Sequence, residues 1–252
     1  MSGLSAEQTV QELGYEFPYH YLPDTDGRRF THHRSLAWGY EYLSYLDFVQ
    51  EMVAREPFTT LLDVGCGDGR FLSRLSRRHS GARLTGVDMS ARAIGFARAF
   101  NPELDWRCGA VGDGSLVPER HDVVTLVEVL EHIEPSAVDS FLDDVCGRVA
   151  QGGRLILSVP STNIRVSRKH YQHFDEALLR RVLAGHAEVE ELHFTNIRSS
   201  PVLQAMRWLL HNKLFVLNHR GLLRAIYRHY TRRLFHVKAH NCRRLVAVCR
   251  VR

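Results

Sequence analysis

The decapeptide Leu61-Leu62-Asp63-Val64-Gly65-Cys66-Gly67-Asp68-Gly69-Arg70 constrains the fold more than any other part of the 252-residue chain. An apolar run leads into three glycines at alternate positions, and a helical pattern starts directly after them. That order predicts a strand, a tight turn and a helix start. Glycine accepts φ > 0 and carries no Cβ, so such a turn can press its backbone against a ligand. The spacing is G-x-G-x-G. It differs from the G-x-G-x-x-G of dinucleotide binders and from the G-x-x-x-x-G-K-[ST] of a P-loop. No Lys-Ser or Lys-Thr follows, which argues against phosphate cradling.

A second short strand, Arg83-Leu84-Thr85-Gly86-Val87-Asp88, ends in an acid 19 residues after Gly69. That is close to the spacing at which an acid after the second strand binds a ribose diol. At these residues the chain resembles the class I S-adenosylmethionine (SAM) methyltransferases. Their first motif reads D/E-x-G-x-G-x-G, and their second strand ends in an acid. The resemblance covers roughly residues 58 to 160 well and the rest loosely. It implies SAM as cofactor and a set of contacts. Asp63 orients the methionine ammonium, and Gly65, Cys66, Gly67 and Gly69 bring backbone to the cofactor. Asp88 accepts both ribose hydroxyls, Met89 packs on the adenine, and Glu128 sits near the sulfonium. The family often has an acid after the third strand. Here Cys108-Gly109-Ala110-Val111 stands in its place, so adenine recognition falls to backbone near Ala110.

Apolar periodicity fills in the fold. Strands are expected at 60–64, 83–87, 105–108, 122–127, 153–159, 188–197 and 244–250. Helices are expected at 36–55, 69–79, 90–100, 135–149 and 174–184. Alternation of this kind predicts an α/β, Rossmann-like fold, a seven-stranded mostly parallel sheet with helices on both faces. Residues 1–56 read as an N-terminal aromatic and helical cap, with Tyr15, Phe17, Tyr19, His20, Tyr21, His32 and His33 in its lead-in. Residues 57–252 read as the SAM-binding domain. The last two strands stand too far apart for a hairpin loop. Residues 202–216 and 221–235 both read as amphipathic helices, so about 200–240 is a helical insertion before the last strand.

The fourth strand runs into Glu128-Val129-Leu130-Glu131-His132-Ile133. On a helix, Glu128, Glu131 and His132 stand at i, i+3 and i+4, on one face. Two carboxylates and an imidazole suit Mg²⁺, Mn²⁺, Fe²⁺ or Zn²⁺. A fourth ligand is available after the fifth strand, where Lys169-His170-Tyr171-Gln172-His173-Phe174 offers His170 or His173. This E-x-x-E-H pattern with a later His resembles the small-RNA 3′-terminal 2′-O-methyltransferases and the ubiquinone-pathway O-methyltransferases. Metal-free relatives carry E-x-L-E-H at the same place, with the His acting on substrate. His132, His170 and His173 are therefore candidate catalytic residues in either reading, and a purely structural role is the remaining option. An alcohol is a poor nucleophile; a cation lowers its pKa and an imidazole takes its proton. Vicinal hydroxyls would suit such a cation, as on a sugar, a ribose end or a catechol.

Charge is split along the chain. Residues 1–160 carry a net −8 and residues 161–252 a net +13, with no acid from Leu192 to Arg252. A one-sided charge distribution favours an anionic partner, such as a phosphate-bearing carrier or a membrane surface. Lys169–Phe174, Asn212–Leu217 and Asn241–Leu245 resemble methyltransferases of bacterial polysaccharide and glycosylated-metabolite pathways. That likeness gives a sugar-containing acceptor (glycan, glycoside or nucleotide sugar) as the expected substrate. RNA ribose 2′-O-methylation and quinone or other small-molecule O-methylation are the alternatives; no appended RNA-binding module is visible. A SAM-binding regulator without activity is the reading outside catalysis. The five cysteines are odd in number and form no C-x-x-C pair, which disfavours a disulfide framework or a zinc site built on them. No run of 18 apolar residues and no basic-then-apolar leader is visible, so the expected location is cytoplasmic, with peripheral membrane contact as an option.

Overall fold

Consecutive residues of each central strand face opposite layers, and both layers are apolar. Leu61, Val123, Ile156 and Val246 face one hydrophobic cluster, while Leu62, Val124, Leu155 and Leu245 face another. Strands buried on both faces need this near-continuous apolar character, which is the signature of a covered parallel sheet. The computed structural model describes residues 36–251 apart from 212–214, 216 and 218, and leaves aside the side chains of 36–38. The aromatic and histidine positions singled out between 15 and 33 lie outside the described residues, as do Lys213 and Leu214.

The chain enters through α1 (Leu36–Ala54) and then alternates. It runs β1 (Thr60–Val64), α2 (Arg70–Ser76), β2 (Arg83–Asp88), α3 (Ala91–Phe100), β3 (Asp105–Cys108) and β4 (His121–Val127). It continues through α4 (Val138–Cys146), β5 (Val149–Pro160), α5 (Glu176–Leu183) and β6 (Ala187–Ile197). Two helices of the insertion follow, α6 (Pro201–Leu210) and α7 (Arg220–His229), and the chain closes on β7 (Cys242–Val251). The sheet order is β3-β2-β1-β4-β5-β7-β6. β1 to β5 are parallel, and β7 runs antiparallel between β5 and β6. This is the expected Rossmann-like seven-stranded sheet, with a helical lead-in and a helical insertion before the last strand.

Boundaries differ from the sequence reading where glycine intervenes. β5 begins at Val149 rather than 153 because Val149 already pairs with His121, and the chain then passes through Gly152, left-handed at φ +75°, before the ladder resumes at Arg154. Its register against β4 shifts between His121 and Val123, the mark of a bulge. The predicted helix 135–149 stops at Cys146 and opens with a 3₁₀ turn, Pro135–Ala137. The insertion's first helix ends at Leu210, short of the expected 216.

One face of the sheet carries α4 and α5. The other carries α1, α2 and α3 together with Leu203 of α6 and Tyr230, Leu234 and Phe235 beyond α7. α1 and the insertion thus pack as one layer. The Tyr40 hydroxyl donates to Leu223 O at 2.8 Å, and the Tyr227 hydroxyl donates to Asp47 at 3.0 Å. Arg154, only 3% exposed, donates to Met52 O and Val53 O and satisfies the last carbonyls of α1, groups that a helix end leaves without intrahelical partners.

At the seam sits Asn196, fully buried and at φ +57°. Its amide donates to Glu41 O, Ser44 Oγ and the Tyr230 hydroxyl, at 3.3, 3.0 and 3.0 Å. It ties β6 to α1 and to the turn after α7. Asn also tolerates the left-handed region better than most residues. Asn196→Ala orphans these buried groups and should lower the unfolding free energy by about 1–3 kcal/mol. Urea denaturation checks it, and an unchanged midpoint would remove Asn196 as the seam's anchor.

Candidate functional site

In an open parallel sheet the strand ends form a crevice where neighbouring strands send their chains to opposite sides. Here that point lies between β1 and β4, neighbours in the sheet but not in sequence. The glycine turn after β1 meets the chain leaving β4 directly. A Cβ on Gly65, at φ +71°, would stand 2.5 Å from Val129 Cγ2. Gly69, at φ +80°, precedes α2 and lies against the Trp106 ring. Two of the three glycines are therefore demanded by packing as well as by backbone conformation, through contacts with residues 64 and 37 positions away. Gly67 has φ +55°, and its N–H donates to Asp88 Oδ2 at 2.9 Å. Asp88 Oδ1 accepts from Ser90 N at 2.8 Å. Asp88 thus pins the turn to the end of β2, a structural duty beside its expected contact with a ribose.

Asp63 is 2% exposed and faces Thr125, its register partner on β4, whose hydroxyl donates to it at 2.7 Å. Burial pushes the Asp63 carboxyl up to about 7, against the Thr125 hydrogen bond. The Cys66 side chain belongs to the sheet core, and burial drives its thiol upward, so it offers a ligand only backbone. Met89 is 67% exposed beside Asp88, and Ala110 is exposed after β3. Asp113 is occupied by Ser115 N and Oγ. The turn, Asp63, Asp88 and the open Met89 and Ala110 positions fit a nucleoside with a charged amino-acid tail.

Beyond β4 the backbone departs from the expected helix. Glu128 is left-handed at φ +58°, and only Leu130–His132 turn, as 3₁₀. Glu128, Glu131 and His132 consequently do not share a helix face. Glu128 Oε1 accepts from Ser158 Oγ at 3.0 Å, and Oε2 accepts from Arg244 Nε at 2.9 Å. With both oxygens engaged, Glu128 stands outside the group it was expected to complete. Arg244 also reaches Glu41 of α1 at 2.6 Å and lies over the Tyr45 ring. Two carboxylates hold this buried guanidinium charged against its desolvation.

The remaining three residues do converge. Glu131, His132 and His170 each bring one potential ligand atom within 4.8 Å of the others. Glu131 is 1% exposed, and its Oε2 finds no hydrogen-bond partner among the described residues. Burial, reinforced by Glu128, holds its carboxyl well above the usual range. Burial lowers His132 to about 4 and His170 to about 3. His132 Nδ1 contacts Lys169 O at 2.7 Å, and His170 Nδ1 contacts His173 Nε2 at 2.8 Å. His173 Nδ1 in turn contacts Ile164 O at 3.1 Å. Both nitrogens of His173 are engaged inside the protein, so it presents neither to a substrate.

A family model described as a methyltransferase domain matches residues 30–233. The chain belongs to that family. Its fold is that of SAM-dependent methyltransferases. It aligns with the N-methyltransferase NodS from Bradyrhizobium japonicum WM9, solved with S-adenosylhomocysteine, at TM-score 0.56 and 17% identity over 85% of this chain and 87% of that one. Magnesium protoporphyrin IX methyltransferase from Synechocystis PCC 6803 aligns at TM-score 0.56 and 14% identity, over 87% and 89%. Among curated proteins, the mitochondrial ubiquinone biosynthesis O-methyltransferase of Schizosaccharomyces pombe is 37% identical over 129 residues, 47% of this chain and 45% of that one. The Aeromonas salmonicida enzyme of the same name is 36% identical over 108 residues, 41% and 44%. The chain spans less than half the length of these curated relatives.

Residues that sequence reasoning passed over are Thr125, Ser158 and Arg244. Thr125 was recoverable, since β1 and β4 adjoin in this fold and Thr125 stands level with Asp63. Arg244 gave no local signal, because its partners lie 116 and 203 positions away.

The Asp63 carboxyl gives the protein a pH signature. Its proton affinity is raised, so the charged form that suits the SAM ammonium is lost as pH falls below about 7. SAM affinity should weaken there by up to about tenfold per pH unit, and Asp63→Asn should flatten the profile. Calorimetry between about pH 5.5 and 8 checks it; a flat wild-type profile would take Asp63 out of the cofactor site.

Proposed function

We propose that the protein transfers the SAM methyl group to a hydroxyl of a small, quinone-type molecule, with a divalent cation held by Glu131, His132 and His170. The convergence of these three residues beside the glycine turn carries the reading. A buried carboxylate oxygen without a hydrogen-bond partner costs about 1–3 kcal/mol, and a cation at that point offsets the cost. Two imidazoles lowered to about 3 and 4 are poor proton acceptors at neutral pH, since a general base works best near the operating pH. They are neutral, which is the state a metal ligand requires. The same lowering argues against the metal-free alternative, in which one of them is the base.

Two imidazoles and one carboxylate suit Zn²⁺, Mn²⁺ or Fe²⁺ better than the oxygen-seeking Mg²⁺ of the sequence reading. When bound, SAM supplies an electrophilic methyl, and the cation lowers the pKa of an acceptor hydroxyl. The protein's own residues do the positioning. Asp63 and Asp88 hold the two ends of the cofactor, and Gly65 lets the turn close on Val129. In-line transfer rests largely on such alignment.

The relatives that act in ubiquinone biosynthesis support a quinone-type acceptor over the sugar-containing acceptor expected from the sequence. Demethylspheroidene O-methyltransferase of Rhodobacter capsulatus, 36% identical over 98 residues, 39% of this chain and 24% of that one, is a further relative named as an O-methyltransferase. Among the described residues no helix is long and apolar enough to cross a membrane.

Tritiated-methyl SAM offered with catechols, glycosides, nucleotide sugars and RNA ends tests the reading. Catechols should be labelled best. EDTA should abolish labelling without weakening SAM binding, and Zn²⁺ or Mn²⁺ should restore it. Glu131→Ala should cut the rate at least a hundredfold, about 2.7 kcal/mol of barrier. A full rate after stripping the metal would discard the cation, and preferential labelling of a glycoside or RNA would discard the acceptor.

A further inference from the structure

The loop between β5 and α5 does more than deliver His170. Its base is closed where Thr162 N donates to Phe174 O at 3.0 Å and Phe174 N donates to Pro160 O at 2.9 Å. Phe174 is fully buried and anchors the loop in the core. From that base the loop grips all three members of the cluster. Tyr171 N donates to Glu131 O at 2.8 Å, and Lys169 O lies at 2.7 Å from His132 Nδ1. His173, 4% exposed, lies at 2.8 Å from His170.

We propose that His173 is a positioning residue that locks His170 in the tautomer whose Nε2 lone pair is left for a ligand. The assignment follows from counting protons. A carbonyl oxygen is an acceptor only, so the nitrogen 3.1 Å from Ile164 O, His173 Nδ1, carries the hydrogen. With a single N–H on its ring, His173 has a lone pair at Nε2, which accepts. His170 Nδ1 is then the donor across the 2.8 Å contact, and its Nε2 is unprotonated. The opposite arrangement would set the His173 Nδ1 lone pair against a carbonyl oxygen. His132 reaches the same state in one step, because Lys169 O fixes its hydrogen on Nδ1. Two backbone carbonyls of one loop thereby set both imidazoles alike, His132 directly and His170 through His173. This is the role of the outer partners that orient metal-binding histidines and fix their tautomers.

The purpose of the lock rests on the proposed cation site, but its existence does not, and the test separates them. Long-range ¹H–¹⁵N correlation on the labelled full-length protein at neutral pH reads each tautomer without any metal. His170 should be Nδ1-protonated. His173→Phe keeps a ring but removes the acceptor, so His170 should move toward the Nε2-protonated form and Zn²⁺ affinity should fall about 10–100-fold. His173→Gln restores an acceptor oxygen and should recover both. A tautomer that follows these variants in a protein with no Zn²⁺ affinity would sustain the lock and sink the cation reading. An Nε2-protonated His170 in the wild type, or a tautomer and affinity unmoved by His173→Phe, would overturn the proposal.

Discussion

Everything in the site follows from β1 and β4 being neighbours in the sheet while their chains leave in opposite directions. The reversal opens a crevice at one edge, and four chain exits must share it. Steric fit then dictates residue type. Gly65 has no room for a Cβ against Val129, and Gly69 has none against Trp106. Asp88 reaches back from β2 to hold Gly67 N, so the turn is fixed before any ligand arrives. Such preorganisation lowers the entropic cost of binding.

Much of this was legible because it is periodic or local. Alternating strand and helix signals carried the sheet, and the glycine spacing marked the tight turn after β1 that Asp88 holds. His170 was identified as a candidate ligand from its place after the fifth strand. What escaped was conformation at single residues and long-range pairing. Glu128 reads as the first residue of a helix, yet it is left-handed at φ +58°, and Ser158 and Arg244 claim its carboxylate. No local pattern signals a partner 116 residues away. The duties of Lys169 O and Ile164 O are equally silent, since a backbone carbonyl has no residue type. His173 looks like a spare ligand in sequence, and only its two engaged nitrogens show otherwise.

The buried charges share a logic. Arg244 lies between Glu41 and Glu128 and links α1, β7 and the exit of β4. Losing Arg244 would strip Glu128 of its guanidinium partner and leave Glu41 with Arg243 alone at close range, and an uncompensated buried charge typically costs about 3–5 kcal/mol. The N-terminal helix is therefore coupled to the crevice by electrostatics as well as by packing. Glu131 lies close to this network and draws only weak help from Arg244 and Lys169. Its orphan oxygen is a local liability. Folded proteins retain buried unsatisfied groups rarely, and a catalytic role or an ion is a recurring reason.

The central claim is that Glu131, His132 and His170 form one cation site with the Nε2 atoms inward. Anomalous diffraction from crystals grown with Mn²⁺ or Zn²⁺ locates such an ion without reference to turnover. The account predicts one strong peak about 2.0–2.2 Å from Nε2 of both histidines and from a Glu131 carboxylate oxygen. A map with no peak there, or with the ion on Nδ1 of either ring, would contradict it.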